Sequence, residues 1–166
     1  MVGPVAAHSE DLDVIRAATA KFKDVNIALA AAEGLPAEWG AMGIHYINPG
    51  LLKITAGEPR VNGNSTHTDF TRPSVLMYEP QADGSLVLVG IENLVWIEAW
   101  SAAGNTNIPV FKGRKWDKMA DDPATDSDEA HNFMPHYDLH VWLYRENPAG
   151  MLAPFNPAVT CEHHGG

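Results

Sequence analysis

The sequence predicts an α+β domain: an N-terminal amphipathic helix packed on a mainly antiparallel β-sheet or a small, partly closed β-barrel. Three observations predict it. Residues 10–33 place apolar side chains at helical spacing. Two β-favouring runs, Ser74–Glu79 and Leu86–Asn93, flank Asp83-Gly84, a dipeptide suited to a hairpin turn. A third run spans Pro135–Arg145, and no alternation of strand and helix separates these runs, which argues against a parallel doubly wound sheet.

Taken in order, Ser9 is a fair N-cap, with Glu10, Asp11 and Asp13 in the first turn where the helix dipole favours acids. Leu12, Ile15, Thr19, Phe22, Asn26 and Leu29 then form one stripe, with a break foreseen near Asp24, and Gly34 with Pro36 ends the helix. Gly40–Ile47 reads as a crowded, glycine-flanked approach to a strand, closed by Asn48-Pro49-Gly50. Residues 55–69 read as loop. The hairpin follows, its second strand continuing toward Trp96. Residues 101–134 form a long connection with a short strand or turn at Val110–Gly113, and with six acids between Asp117 and Glu129. A loop of that length is often a lid or binding segment. Beyond the Pro135–Arg145 strand, Asn147-Pro148, Pro154 and Asn156-Pro157 mark an irregular tail. The chain reads as a single domain over 1–166, with 1–8 disordered and 158–166 flexible.

Composition narrows the function. The 166 residues are 45% hydrophobic, enough for one substantial core, and carry a formal charge of -10. That charge offers no basic footprint for nucleic acid and no attraction to an anionic membrane surface. The partner expected instead is a small-molecule ligand or substrate, and a homo-oligomer stays open. No apolar run approaches the ~18 residues of a membrane span. Met1–Ala7 is compatible with the remnant of an export signal, so a periplasmic or secreted location is weakly favoured over a cytoplasmic one. A single cysteine, Cys161, excludes an intrachain disulfide and a cysteine-based zinc site. Phosphate-cradling glycine loops, a serine nucleophile elbow and a calcium-hand motif are all missing from the sequence.

The chemistry concentrates in the third strand. Side chains alternate along a strand, so His136, Asp138, His140 and Trp142 share one side while Tyr137, Leu139, Val141 and Leu143 take the other. The apolar row belongs to the main core. The other row is either a solvated face or the wall of a site. His136 and His140 match an H-x3-H spacing, yet on a flat strand they stand ~13 Å apart, too far to share an ion. A metal site therefore needs a neighbouring strand, and His45, His136 and His140 are the candidate ligands, with Glu92 and Glu79 as carboxylates that complete the site or act as acid and base. Such a set suits a divalent transition metal: zinc, iron or copper. Tyr46, Asp138 and Trp142 are expected to line the pocket. An acid at a strand end more often reaches solvent, and a histidine row is as often hydrogen-bonded wall as metal centre.

Gly40-Ala41-Met42-Gly43-Ile44-His45-Tyr46, Tyr78-Glu79-Pro80, Pro135–Leu143 and Asn147–Met151 together resemble a group of small, often exported bacterial proteins. The likeness covers most of the chain beyond the first helix and brings no catalytic assignment with it. Members often hold another cysteine ahead of the segment matching His45. Pro36-Ala37-Glu38-Trp39 has none, which leaves Cys161 unpaired. The leading functional expectation is a small metal-dependent enzyme, an oxidoreductase or lyase, or a metal-binding protein, with a His/carboxylate site acting on a small organic molecule. The alternative is a metal-free small-ligand-binding protein with a His/Trp-lined pocket; a structural or interaction protein is the third reading.

Overall fold

The computed structural model describes residues 10–31, 37–38, 44–57, 60–120, 133–160 and 162–163. Its centre is a six-stranded sheet built from β1 (Ala37–Glu38), β2 (Ile44–Ile47), β5 (Val75–Pro80), β6 (Leu86–Trp96), β9 (Asp117–Met119) and β10 (His136–Val141). The order across it is β1-β2-β5-β6-β10-β9, and every pairing is antiparallel. Two ribbons accompany it, β3 (Ile54–Ala56) with β4 (Asn62–Gly63), and β7 (Val110–Phe111) with β8 (Arg114–Lys115). The helices are α1 (Leu12–Thr19), α2 (Val25–Ala31), α3 (Pro49–Leu52) and α4 (Ile97–Ala102). The class is α+β, and among the described strands no sheet closes into a barrel. No described helix is long and apolar enough to cross a membrane.

The N-terminal helix begins later than its composition suggested. Asp11 is the cap, its Oδ1 accepting from the backbone N–H of Asp13 at 2.9 Å, while Ser9 lies outside the described residues. A 3₁₀ turn over Ala20–Lys23 then separates α1 from α2, with Asp24 extended between them. Three residues per turn instead of 3.6 rotate the apolar stripe. Ile15 and Thr19 are buried as expected, but beyond the turn Val25 and Ala28 face inward and Asn26 is exposed. Ile15 and Ala28 share one core with Leu76, Ile91, Leu139 and Val141 of the sheet. Two polar ties reinforce it: the Tyr78 hydroxyl donates to Phe22 O at 2.6 Å, and Thr19 Oγ1 lies 2.7 Å from the Tyr144 hydroxyl.

The hairpin is β5 and β6, turning at Gly84 with φ of +88°, where a side chain would be strained. A bulge between Met77 and Tyr78 breaks its register: Met77 pairs with Gly90 but Tyr78 with Leu88, so Val89 is the extra residue. α4 overlaps the start of the expected long connection, β3 and β4 lie where a loop was expected, and β9 occupies the first residues of the acidic stretch. The remainder of that stretch, 121–132, and Gly40–Gly43 lie outside the described residues. In the tail, Val159 is buried and the Thr160 N–H donates to Glu79 Oε2 at 2.9 Å.

Candidate metal centre

Both faces of β10 are buried. Leu139 and Val141 enter the core shared with the helices, while His136, Asp138, His140 and Trp142 are each 4% exposed or less on the opposite face. A solvated histidine face is thereby ruled out. Register explains what meets this row. His140 pairs with Glu92 on β6, Glu92 pairs with Val75 on β5, and His45 on β2 pairs with Met77 one step along. Glu92 and His45 thus share the face of His140.

Three ligating atoms converge there. His45 Nε2 lies 3.0 Å from Glu92 Oε1, His140 Nε2 lies 3.4 Å from the same oxygen, and the two Nε2 atoms are 3.4 Å apart. Metal–nitrogen and metal–oxygen bonds of about 2.0–2.1 Å at a tetrahedral angle put neighbouring ligand atoms about 3.3 Å apart. The triangle has those dimensions, and the His45–Glu92–His140 group can hold a metal ion. Glu92 Oε1, though close to both imidazoles, has no partner in hydrogen-bond geometry, as befits an oxygen and two ring nitrogens aimed at a common point.

β2 and β10 are three strand intervals apart, roughly 14 Å on a flat sheet. The bulge at Val89, opposite the Met77–Tyr78 step, bends β6 locally, and Gly90 carries no side chain where it faces Met77. A Cβ on Gly90 would meet the Val141 carbonyl oxygen at 2.9 Å and Met77 Cε at 2.6 Å. The missing Cβ leaves room for Met77 and the Val141 carbonyl to approach β6 this closely.

The electrostatics are those of two carboxyls buried side by side. Burial pushes Glu92 up to about 7, with the neighbouring Asp117 adding to the rise and a hydrogen bond from Asp138 opposing it. Asp138 is raised well above the usual carboxylate range, first by burial, then by the charge of Glu92 and its hydrogen bond with it. Asp138 Oδ1, like Glu92 Oε1, is buried without a hydrogen-bond partner.

The remaining expected site residues fall in different places. Asp138 and Trp142 border the group; the Trp142 ring stacks on His140 at 6.1 Å and 11°, and its Nε1 donates to Ala153 O at 2.7 Å, fixing it. His136 does not join the triangle. It lies two residues beyond Asp138, its Nδ1 2.9 Å from Met134 O and its Nε2 3.9 Å from Asp138 Oδ2, packed against Trp96 and Phe133. A ring nitrogen bonded to a carbonyl carries a proton, so Nδ1 donates to Met134 O. Tyr46 lies on the other face, its ring 5.2 Å from that of Tyr78, because adjacent strand residues point opposite ways. Glu79 is tied elsewhere: Arg145 Nη2 stands 2.9 Å from its Oε1. Burial would raise Glu79, but the bonds from Arg145, Thr160 and Gln81 outweigh it and hold it below the usual range. Glu79 therefore serves as an anchor for the tail, away from the converging histidines.

No family model, curated protein or solved structure matches this chain, so the functional reading rests on the geometry of the site.

Proposed function

We propose that the protein is a small metal-dependent enzyme or metal-binding protein whose centre is His45, Glu92 and His140, acting on a small organic molecule. One observation carries the reading: three ligating atoms from three different strands lie 3.0–3.4 Å apart on a buried face, in a triangle sized for one ion. Two imidazoles and one carboxylate suit zinc or ferrous iron, and three protein donors leave coordination positions for water or substrate. Zinc there would activate a bound water or polarise a carbonyl; iron would support redox chemistry.

Elemental analysis of untagged protein tests this, with His163→Ala and His164→Ala as a background so that the terminal histidines do not scavenge metal. One equivalent of transition metal is expected, lost in His45→Ala, Glu92→Ala and His140→Ala and kept in His136→Ala. Full occupancy in all three triangle variants overturns the assignment. A chain that takes up no metal under any loading condition favours the metal-free, His/Trp-lined pocket.

A further inference from the structure

The C-terminal tail crosses the same face as the metal centre. Residues 147–160 form neither helix nor strand, yet they run back from the end of β10 to the end of β5. The Trp142 N–H donates to Met151 O at 3.0 Å, and its indole Nε1 to Ala153 O at 2.7 Å. Arg145 Nη1 donates to Ala158 O at 3.1 Å, and Val159, 2% exposed, packs with Met77, Val89 and Trp142. Glu79 latches the far end: its Oε2 accepts from the Thr160 N–H at 2.9 Å, while its Oε1 meets Arg145. Glu79 shares the face of Met77, and Met77 pairs with His45, so the strap lies beside the converging ligands.

What the strap grips is Trp142, and Trp142 borders a ligand. Its ring is parallel to that of His140, with 11° between planes and 6.1 Å between centroids, an offset stack. His45 meets the same imidazole nearly edge-on, at 75° and 5.6 Å. Rotation about the bond that joins an imidazole to its Cβ is soft, so the strand alone fixes the direction of Nε2 poorly. A functional atom has to be held to about 0.5 Å. Metal-binding imidazoles are held by the groups behind them. A buried indole that is itself hydrogen-bonded and packed is such a group, because turning the His140 ring breaks the stack.

On the metal-centre reading above, we infer that the C-terminal strap is part of the centre: latched at Glu79, it locks Trp142, and Trp142 is the positioning residue that sets the angle of the His140 imidazole for the ion. Glu79 thus acts on the centre through the strap, without touching the ion.

The test uses full-length protein carrying Cys161→Ser, His163→Ala and His164→Ala, so that no thiol or terminal imidazole competes. Zn²⁺ affinity is measured by competition titration, and coordination geometry is read from the visible ligand-field bands of the folded, Co²⁺-saturated protein. Trp142→Leu is expected to bind Zn²⁺ about 10–100-fold more weakly, the range seen when a group behind a ligand is removed, with shifted Co²⁺ bands. Trp142→Phe, which keeps a ring beside His140 but loses the bond to Ala153, should fall between parent and Trp142→Leu. Ile15→Ala, in the core on the other face, should lose stability yet keep the bands, and the affinity within about threefold. Glu79→Gln should weaken Zn²⁺ binding about threefold or more by itself and add nothing in the Trp142→Leu background. Parent-like bands and affinity in Trp142→Leu overturn the inference, as does an equal affinity loss in Ile15→Ala, which would make affinity follow stability alone. No loss from Glu79→Gln, or losses that add, overturn it too, since Glu79 would then act by its charge or not at all. If Trp142→Leu does not fold, Trp142→Phe takes its place in every comparison, and parent-like bands and affinity there overturn the inference. A parent that binds neither Zn²⁺ nor Co²⁺ defeats the metal centre itself, an outcome that the parent alone shows.

Discussion

Replacing Gly90 with alanine tests the packing that brings the centre together. The new methyl would lie 2.9 Å from the Val141 carbonyl oxygen and 3.2 Å from Trp142 Cε3, with Met77 Cε at 2.6 Å. Met77 can swing its terminal methyl aside, but the Val141 oxygen belongs to the ladder of β10 and Trp142 is held by its bond to Ala153. Relief therefore requires β6 and β10 to part by several tenths of an ångström beside His140. Overpacking of this kind costs about 1–3 kcal/mol. A Gly→Ala change also restricts the unfolded chain and returns about 0.4–1 kcal/mol. The net expectation is a loss of about 1–2 kcal/mol. In urea, with a slope of about 2 kcal/mol/M, the midpoint should fall by on the order of 0.7 M without a change of slope. Metal affinity should weaken in the same variant, since His140 moves with β10. A Gly90→Ala protein as stable as the parent, with metal affinity intact, would refute the claim that this close approach shapes the site.

Two further outcomes follow from the fold. Ile15→Ala removes a side chain that is 0% exposed between α1 and the sheet and should cost about 2–5 kcal/mol, read from the urea midpoint; a loss near zero would mean that α1 contributes little to the core. Glu79→Gln should cost about 1.5–3 kcal/mol at neutral pH by breaking the charged bond to Arg145. Because the Glu79 carboxyl is held below its ordinary value, its contribution is present above that value and fades as pH falls through the lowered one. The stability gap between parent and Glu79→Gln should close toward acid, and a gap that widened there would contradict the ion pair.

Strand chemistry was legible in the sequence where alternation or turn chemistry spoke plainly. The Asp83-Gly84 hairpin and the split of β10 into a purely apolar row and a histidine row needed only a period of two. The same period should have placed Tyr46 away from His45. The N-terminal stripe was readable as far as Thr19 and the break near Asp24 was foreseen, but the 3₁₀ turn at Ala20–Lys23 changes the period ahead of it. α4 was hidden by the β-favouring Trp96-Ile97 junction, where no side chain caps the helix. The site itself was half legible. His45, His140 and Glu92 were each candidates, and the reach of a flat strand already showed that His136 and His140 could not share an ion unless the ladder were distorted. Which carboxylate joins depends on register between distant strands and on the bulge at Met77, and these are tertiary facts. Glu92 and Glu79 look alike in sequence, yet one faces two imidazoles and the other an arginine. The pairing of Asp138 with Glu92 is equally tertiary, a diagonal contact across the β6–β10 ladder.

The central claim is that His45, Glu92 and His140 bind one ion, and anomalous X-ray diffraction from crystals of the metal-loaded protein tests it most directly. A single strong anomalous peak is expected about 2.0–2.2 Å from His45 Nε2, His140 Nε2 and a Glu92 carboxylate oxygen. A peak only at the terminal histidines, or no peak at the triangle after saturating metal, would contradict the account.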